Sequence, residues 1–170
     1  GEFYFAKLRY DDAAKTYKAF VDLNPFHRSS PHFGMRVVEI YTRADFPKLV
    51  LEAKKEFASR YGLQAEYWRH FDVNESPDVL SYLRSNLRDL ANHFHALYQA
   101  PELAADKPVH FAEAERWYRD YLDGFDSSPQ APATRLLLAD LLFEGARYEE
   151  AAVEYQLAAY AYVATPDSAR

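Results

Sequence analysis

The hydrophobic residues of this chain recur at the spacing of an amphipathic helix. Near its start, six aromatic, small or branched residues follow offsets of 0, 3, 4, 7, 10 and 11: Tyr10, Ala13, Ala14, Tyr17, Phe20 and Val21. The same offsets recur from Tyr148 to Ala159, and close variants begin at Phe46 and Phe111. A period near 3.6 places such residues on one face of a helix, whereas a half-buried strand alternates. The pattern therefore predicts an all-α fold.

A hydroxyl residue directly followed by proline marks four further positions: Ser30-Pro31, Ser76-Pro77, Ser128-Pro129 and Thr165-Pro166. The hydroxyl can cap an unpaired backbone amide, and proline suits the first helical position because it has no amide. Together, caps and stripes predict helices at 1–6, 11–23, 31–43, 46–61, 77–99, 108–124, 129–144 and 148–163. The segments 62–75 and 100–110 are predicted to be inserted loops.

Short connections between successive helices indicate antiparallel pairs. We therefore predict an α-solenoid of antiparallel helix-turn-helix repeats, with about four hairpins of which the first is truncated. A single hairpin cannot bury its own apolar stripe, so neighbouring hairpins have to cover it. We expect 1–170 to be one repeat segment excised from a longer protein.

The stripe formed by Tyr148, Ala151 and Tyr155 resembles the second helix of the tetratricopeptide repeat (TPR) family, which has an aromatic residue, alanine and an aromatic residue at offsets 0, 3 and 7. Later aromatic residues, Phe20 and Tyr121, make the chain similar to bacterial envelope and periplasmic members of that family. The resemblance implies a right-handed superhelix that acts as a non-catalytic scaffold and presents a groove to a protein or peptide partner. It alone implies a periplasmic or cell-envelope location, since the composition leaves the compartment open.

Composition narrows the classes of function. Of the 170 residues, 16% are aromatic and none is cysteine, which excludes disulfides and thiolate metal sites. The formal net charge is -6 at pH 7, and no run of Lys and Arg offers a phosphate-binding surface, so we expect no nucleic-acid partner. No apolar run approaches the ~18 residues that a bilayer crossing needs, so we expect no membrane-spanning segment.

The residues that could act in catalysis or bind a metal are explained by their positions on the predicted helices. His93 and His95 point to different faces of a helix, unlike a helical zinc pair with four-residue spacing. The paired carboxylates Glu149 and Glu150 fall in the first turn of a helix, where they complement its dipole. The sequence has neither a phosphate-binding glycine loop nor a nucleophile elbow. We therefore predict no metal, no cofactor and no catalytic residue, and hence not an enzyme.

A polar stripe accompanies the leucines of the helix predicted at 77–99. Five of its members are predicted to bind a protein or peptide partner: Ser85, Arg88, Asn92, His95 and Gln99. By the resemblance, Arg88 and Asn92 match positions that hold a peptide's terminal carboxylate in chaperone-binding family members. Ala133 and Leu137 occupy the clamp positions of the next repeat, so a full carboxylate clamp is not predicted. The alternative for the stripe is a solvated helix face.

Two functions from other classes stay open. One alternative to the binding scaffold is a structural spacer or oligomerisation segment of a longer repeat array, which self-association that buries the polar stripe would favour. The other alternative is an envelope hydrolase that uses the inserted loops. For the fold itself, Tyr155 lies at the centre of the last stripe, and we expect it to be an interior residue.

Overall fold

A computed structural model describes the backbone of residues 2–163 and the side chains of residues 9–102 and 105–160. The described residues form seven α-helices and no strand. The predicted all-α class is confirmed. In chain order, the helices are α1 (Glu2–Leu23), α2 (Ser30–Arg43), α3 (Pro47–Tyr61), α4 (Pro77–Gln99), α5 (Lys107–Phe125), α6 (Ala131–Glu144) and α7 (Tyr148–Val163).

The chain divides into two compact units, Gly1–Asn86 and Leu87–Arg170, and α4 runs through the boundary. In the first unit, α1 packs on α2 and α2 packs on α3. In the second unit, α5 packs on α6 and α6 packs on α7. Only three residues join α2 to α3 and α6 to α7, so each of these pairs is an antiparallel helical hairpin.

The core of the first unit lies between α1, α2 and α3. A buried cluster joins one alanine of α1 to three larger residues of α2: Ala14, Val37, Ile40 and Tyr41. On α3, Phe57 is 2% exposed and meets Tyr82 of α4 edge to face, with ring centroids 4.8 Å apart. Edge-to-face packing of this kind adds about 0.5–1.5 kcal/mol to the burial of the rings.

The core of the second unit combines aromatic residues of α5 with leucines of α6. Ala151 and Ala158 on α7 are also buried, and their small side chains allow α7 to approach α6 closely. Burying each large side chain stabilises the fold by about 1.5–3 kcal/mol. The largest buried members are Trp117, Tyr118, Tyr121, Leu138, Leu141 and Leu142.

Helices α2 and α6 correspond at an offset of 101 residues. Both contain 14 residues, and they begin at Ser30 and Ala131. The same offset relates five buried residues of α2, namely Ser30, Val37, Val38, Ile40 and Tyr41, to five of α6, namely Ala131, Leu138, Ala139, Leu141 and Leu142. The two helices therefore bury the same face.

The turns that follow these two helices correspond as well. Asp45 after α2 has a φ of 56°, and Ala146 after α6 has a φ of 59°. In each turn, the next amide reaches back to a helix carbonyl, from Phe46 to Tyr41 (3.1 Å) and from Arg147 to Leu142 (2.8 Å). This is the Schellman arrangement, in which a left-handed residue allows the last carbonyls of a helix to be paired. The two units thus contain hairpins with the same turn.

Six of the predicted helices agree with the structure within two residues at each end, but the separate helix at 1–6 is wrong. Residues 2–23 form one continuous helix, α1, because this segment contains neither glycine nor proline to interrupt it. The predicted inserted loops hold short 3-10 helices at Glu66–Arg69, Val73–Glu75 and Pro101–Asp106.

Two of the predicted serine caps are also wrong. Ser30 lies within α2, and its hydroxyl donates to the backbone carbonyl of Asn24 (2.6 Å). Ser128 lies three residues before α6, and its hydroxyl bonds to the hydroxyl of Tyr121 (2.8 Å). In both places the hydroxyl fixes the incoming loop instead of capping the helix. The pair Thr165-Pro166 lies outside the described residues.

Candidate functional site

An open groove of about 680 Å³, part of it continuous with solvent, lies in the second unit. Four helices contribute to it, with α4 and α6 supplying most of the side chains. Its lining combines amides, carboxylates, a histidine, two phenols and apolar residues: Asn92, His95, Ala96 and Gln99 of α4, Tyr118 of α5, Leu137, Asp140, Phe143 and Glu144 of α6, and Tyr155 of α7. We call this surface the α4–α6 groove.

A buried hydrogen-bond network forms the floor of the groove. The Tyr118 hydroxyl donates to Oδ1 of Asn92 (3.0 Å) and lies 3.1 Å from Nδ1 of His95. The Tyr118 phenol thus joins two side chains of α4. His95 is 6% exposed and Tyr118 is 1% exposed, so this network fixes the ring orientation at the base of the groove.

Glu144 links α6 to the polar side chains of α4. Its Oε1 accepts a hydrogen bond from Nε2 of Gln99 (2.8 Å), and its Oε2 lies 3.3 Å from Nε2 of His95. The same carboxylate therefore meets an amide donor and an imidazole. The Tyr98 hydroxyl also donates to the backbone carbonyl of Glu144 (3.2 Å), which holds the end of α6 against α4.

Asp140 lies one helical turn before Glu144 and accepts a short hydrogen bond of 2.5 Å from the Tyr155 hydroxyl. This hydrogen bond is the main reason why the pKa of Tyr155 is raised to about 12. Burial raises the pKa of Tyr118, and the negative charges of Asp140 and Glu144 raise it further. Both phenols therefore stay protonated at neutral pH and are available as hydrogen-bond donors.

The groove carboxylates bond to a phenol, an amide and an imidazole, whereas other carboxylates of the second unit have arginine partners. Glu115 pairs with Arg147 (2.5 Å), and Glu154 pairs with Arg135 (3.0 Å). Within the described part of the chain, neither Asp140 nor Glu144 forms an ion pair with lysine or arginine. The α4–α6 groove thus has an acidic wall on α6 that no lysine or arginine of the described residues pairs with.

The structure brings together three of the five predicted site residues. Asn92, His95 and Gln99 line the α4–α6 groove, although His95 is buried in its floor and is not accessible on the stripe. Ser85 and Arg88 are exposed on α4 and are not among the lining residues. Partner binding by these residues stays a prediction.

The prediction omits the lining residues contributed by α5, α6 and α7. One signal in the sequence points to them: Asp140 and Glu144 are one turn apart in the mostly apolar second half of α6. Tyr155 is not the interior residue expected from its stripe, because it is only partly buried and its hydroxyl lies at the groove. Of the stripe residues, Ala151 and Ala158 are buried, whereas Tyr148, Ala152 and Ala159 are exposed, so Tyr155 lies at the edge of the face that α7 buries.

The described residues provide neither a cluster of metal ligands nor a membrane-spanning helix. None of their histidines, aspartates and glutamates form a group of three or more that could hold a metal ion. None of the helices they form is both long and apolar enough to span a bilayer.

No protein-family model, no curated protein and no solved structure matches this chain.

Proposed function

We propose that this chain is a non-catalytic scaffold of TPR-like helical repeats that binds a protein or peptide segment in the α4–α6 groove. The observation that carries the proposal is the groove itself. It is open, it combines apolar, aromatic and hydrogen-bonding side chains, and a buried network supports its floor. Concave sites with a few well-positioned polar groups are typical of ligand binding.

Contacts between alternate helices support a solenoid arrangement within each unit. In the first unit, Lys18 pairs with Glu56 and Asp22 pairs with Arg60, both at a sequence separation of 38 residues, so α1 and α3 run parallel. In the second unit, Arg119 of α5 bonds to Glu150 of α7, and Arg147 in the turn before α7 bonds to Glu115 of α5. Stacked helical hairpins are expected to have parallel alternate helices.

The groove is tested most directly by filling it. Ala96 is exposed and lines the groove, so Ala96→Trp places an indole in the opening without removing a core contact. Ala112→Trp is the matched control, because Ala112 is an exposed alanine of α5 that does not line the groove. Peptides selected from a random display library on the wild-type chain should bind the control variant and lose binding to Ala96→Trp.

Equal binding of all selected peptides to both variants would place the peptide site elsewhere and reject the proposal. Failure to select any peptide would reject it as well. Circular dichroism of both variants should show the same helix content as the wild type, which separates groove filling from unfolding.

Self-association is a second candidate, and exposed apolar residues on α7 favour it. Val153, Leu157 and Tyr160 are 53%, 44% and 75% exposed and recur at helical spacing. At the offset of 101 residues, the corresponding positions of α3 hold Glu52, Glu56 and Ser59. The apolar face is therefore not a requirement of this hairpin. Sedimentation equilibrium should show concentration-dependent dimers that Leu157→Glu abolishes, and a wild type that is monomeric at every concentration would exclude this candidate.

A further inference from the structure

The corresponding helix face of the first unit indicates what the α4–α6 groove lacks. On α2, Glu39 is paired with Arg36 on one side and with Arg43 on the other, the latter at 2.7 Å. Arg36 also lies next to the Tyr17 hydroxyl, and interactions with Glu39 and Tyr17 raise the pKa of its guanidinium. The chain itself thus supplies two cations around this carboxylate.

On α6, the carboxylate is retained but both cations are replaced. At the offset of 101 residues, Asp140 corresponds to Glu39, while Leu137 and Glu144 correspond to Arg36 and Arg43. Two arginines and one glutamate give these α2 positions a net charge of plus one. One leucine and two carboxylates give the α6 positions a net charge of minus two. Tyr118 corresponds to Tyr17, so the phenol is conserved between the two units whereas the guanidinium is not.

Among the described residues, no lysine or arginine forms an ion pair with Asp140 or Glu144 in place of the two arginines. The partners of Asp140 and Glu144 are the Tyr155 hydroxyl, the Gln99 amide and the His95 imidazole. The remaining acceptor positions of both carboxylates are available, because each carboxylate oxygen can accept more than one hydrogen bond. Phe143 is 56% exposed and Leu137 is 37% exposed, so apolar surface lies directly beside the carboxylates.

We infer that the α4–α6 groove binds a cationic side chain, arginine or lysine, of an apolar segment of the partner protein, with its charged group at Asp140 and Glu144. The inference rests on the proposed function and names the chemistry of the partner. The aliphatic part of the cationic side chain contacts Leu137 and Phe143, while its charged group makes charge-assisted hydrogen bonds to the two carboxylates. The partner then supplies the cation that Arg36 and Arg43 supply in the first unit.

A cation in the groove has the opposite charge to the terminal carboxylate that family members hold at the positions of Arg88 and Asn92. A terminal carboxylate held near Asn92 would face Glu144 and Asp140 across the groove, and like charges in a partly buried site repel. A cation at the same place gains from both carboxylates and also from the faces of the aromatic rings.

The test uses three capped peptides that differ at one position. The first is Ac-Ala-Leu-Arg-Leu-Ala-NH2, the second has citrulline in place of arginine, and the third has glutamate. Citrulline keeps the shape and most of the donors of arginine but has no charge. Binding is followed through the side-chain amide signals of Asn92 and Gln99 in heteronuclear NMR spectra. We expect the arginine peptide to bind at least about tenfold more tightly than the citrulline peptide, and its affinity to fall as salt is added.

Variants of the chain test whether Asp140 and Glu144 are the carboxylates that bind the cationic side chain. Asp140→Asn and Glu144→Gln each keep an acceptor oxygen for the side chains that donate to them, and each should weaken binding of the arginine peptide by about fivefold to tenfold. Leu137→Arg restores the cation present at position 36 and should weaken binding similarly, whereas Leu137→Met should have little effect. Glu149→Gln is the control for net charge, because Glu149 is exposed on α7 and does not line the groove.

The outcomes separate this inference from the proposed function. Equal affinities for the arginine and citrulline peptides, or preference for the glutamate peptide, would overturn the cation inference while groove binding stands. The same applies if Glu149→Gln weakens binding as much as the groove variants do. If no peptide shifts the Asn92 and Gln99 signals, both the inference and the proposed function fail.

Discussion

Two buried tyrosines of this chain place their hydroxyl groups in opposite environments. Tyr118 is 1% exposed and its hydroxyl has two partners, Asn92 and His95. Tyr61 is 2% exposed, and its hydroxyl has no hydrogen-bond partner among the described residues. A buried hydroxyl stabilises the fold only where its lost hydration is replaced by hydrogen bonds.

Replacing each tyrosine with phenylalanine should therefore have different effects on stability. Tyr118→Phe removes the hydrogen-bond partner of Nδ1 of the buried His95 and should lower the free energy of unfolding by about 1–2 kcal/mol. Tyr61→Phe removes an unpaired group and should be neutral, or stabilising by up to about 1 kcal/mol. Urea unfolding at pH 7 measures both changes, and equal losses in the two variants would contradict the assignment of partners.

The hydrogen bond between Tyr155 and Asp140 makes the free energy of unfolding depend on pH in the alkaline range. The pKa of Tyr155 is raised from its usual value of 10.0 to about 12, so the unfolded chain loses this proton at lower pH than the folded chain. The stabilisation is complete below pH 10 and is lost as the pH rises towards 12. The stability difference between the wild type and Tyr155→Phe should therefore shrink between pH 8 and pH 11 in urea unfolding. Tyr160→Phe is the control, since Tyr160 is 75% exposed, and a difference that stays constant with pH would refute the coupling to Asp140.

At the scale of single residues, only part of the candidate site could be predicted from the sequence. Helical spacing places Asn92 and Gln99 on one stripe of α4, so these two groove residues can be found from the sequence. The carboxylates opposite them lie on α6, and the pairing of Gln99 with Glu144 depends on how two distant segments pack. No local pattern contains that information.

At the scale of the elements, the turn between α6 and α7 contains two neighbouring residues with different constraints. Gly145 has an ordinary φ of -80°, but a Cβ at this position would overlap the ring of Phe111. Ala146 has a φ of 59°, where a Cβ is unfavourable. Glycine is therefore required at position 145 for space, and it is preferred at position 146 for conformation.

Two substitutions in this turn should change stability in opposite directions. Gly145→Ala should destabilise the chain by about 1–3 kcal/mol through overpacking, and less in a Phe111→Leu background. Ala146→Gly should stabilise it by about 1 kcal/mol by relieving the left-handed alanine. Asp45→Gly in the corresponding turn should have a smaller effect, because aspartate tolerates this conformation better. Thermal unfolding ranks the variants, and a stabilising Gly145→Ala would show that Phe111 does not pack against the turn.

Helix positions follow from apolar periodicity, whereas helix starts are less predictable. Serine followed by proline is compatible with a cap, but also with a loop that closes on the serine hydroxyl, as at Ser30 and Ser128. The choice depends on whether a carbonyl or hydroxyl of the preceding helix is within reach. That is a property of the folded loop and not of the dipeptide.

At the scale of the whole chain, the internal correspondence at 101 residues is hidden from simple inspection of the sequence. Spacings between the serine-proline pairs suggest unequal repeats, because Ser30 and Ser128 occupy different places relative to their helices. The correspondence appears once the left-handed residues Asp45 and Ala146 are aligned. Few residues are identical at this offset, Tyr17 and Tyr118 among them, since burial and turn geometry restrict side chains less than they restrict the backbone.

Helix α4 contributes buried residues to the chain on both sides of the boundary between the units. Val79 and Leu83 before the boundary are 0% exposed, and Leu90 and Ala91 after it are at most 1% exposed. A continuous helix therefore carries core residues of both units, and in repeat proteins such shared elements couple neighbouring units. Breaking α4 near the boundary should consequently destabilise both units.

Arg88→Pro tests this coupling, because Arg88 is exposed and its side chain contributes nothing to the core. Proline removes one helical hydrogen bond and clashes with the preceding turn, which costs about 3 kcal/mol or more. Hydrogen exchange followed by mass spectrometry should show faster exchange in peptides from α2 as well as α6. Arg88→Ala should leave exchange in both helices unchanged, which separates the break in the backbone from loss of the side chain. Faster exchange in only one of the two helices would mean that each unit holds its part of α4 independently, and α4 would then be a linker between autonomous units.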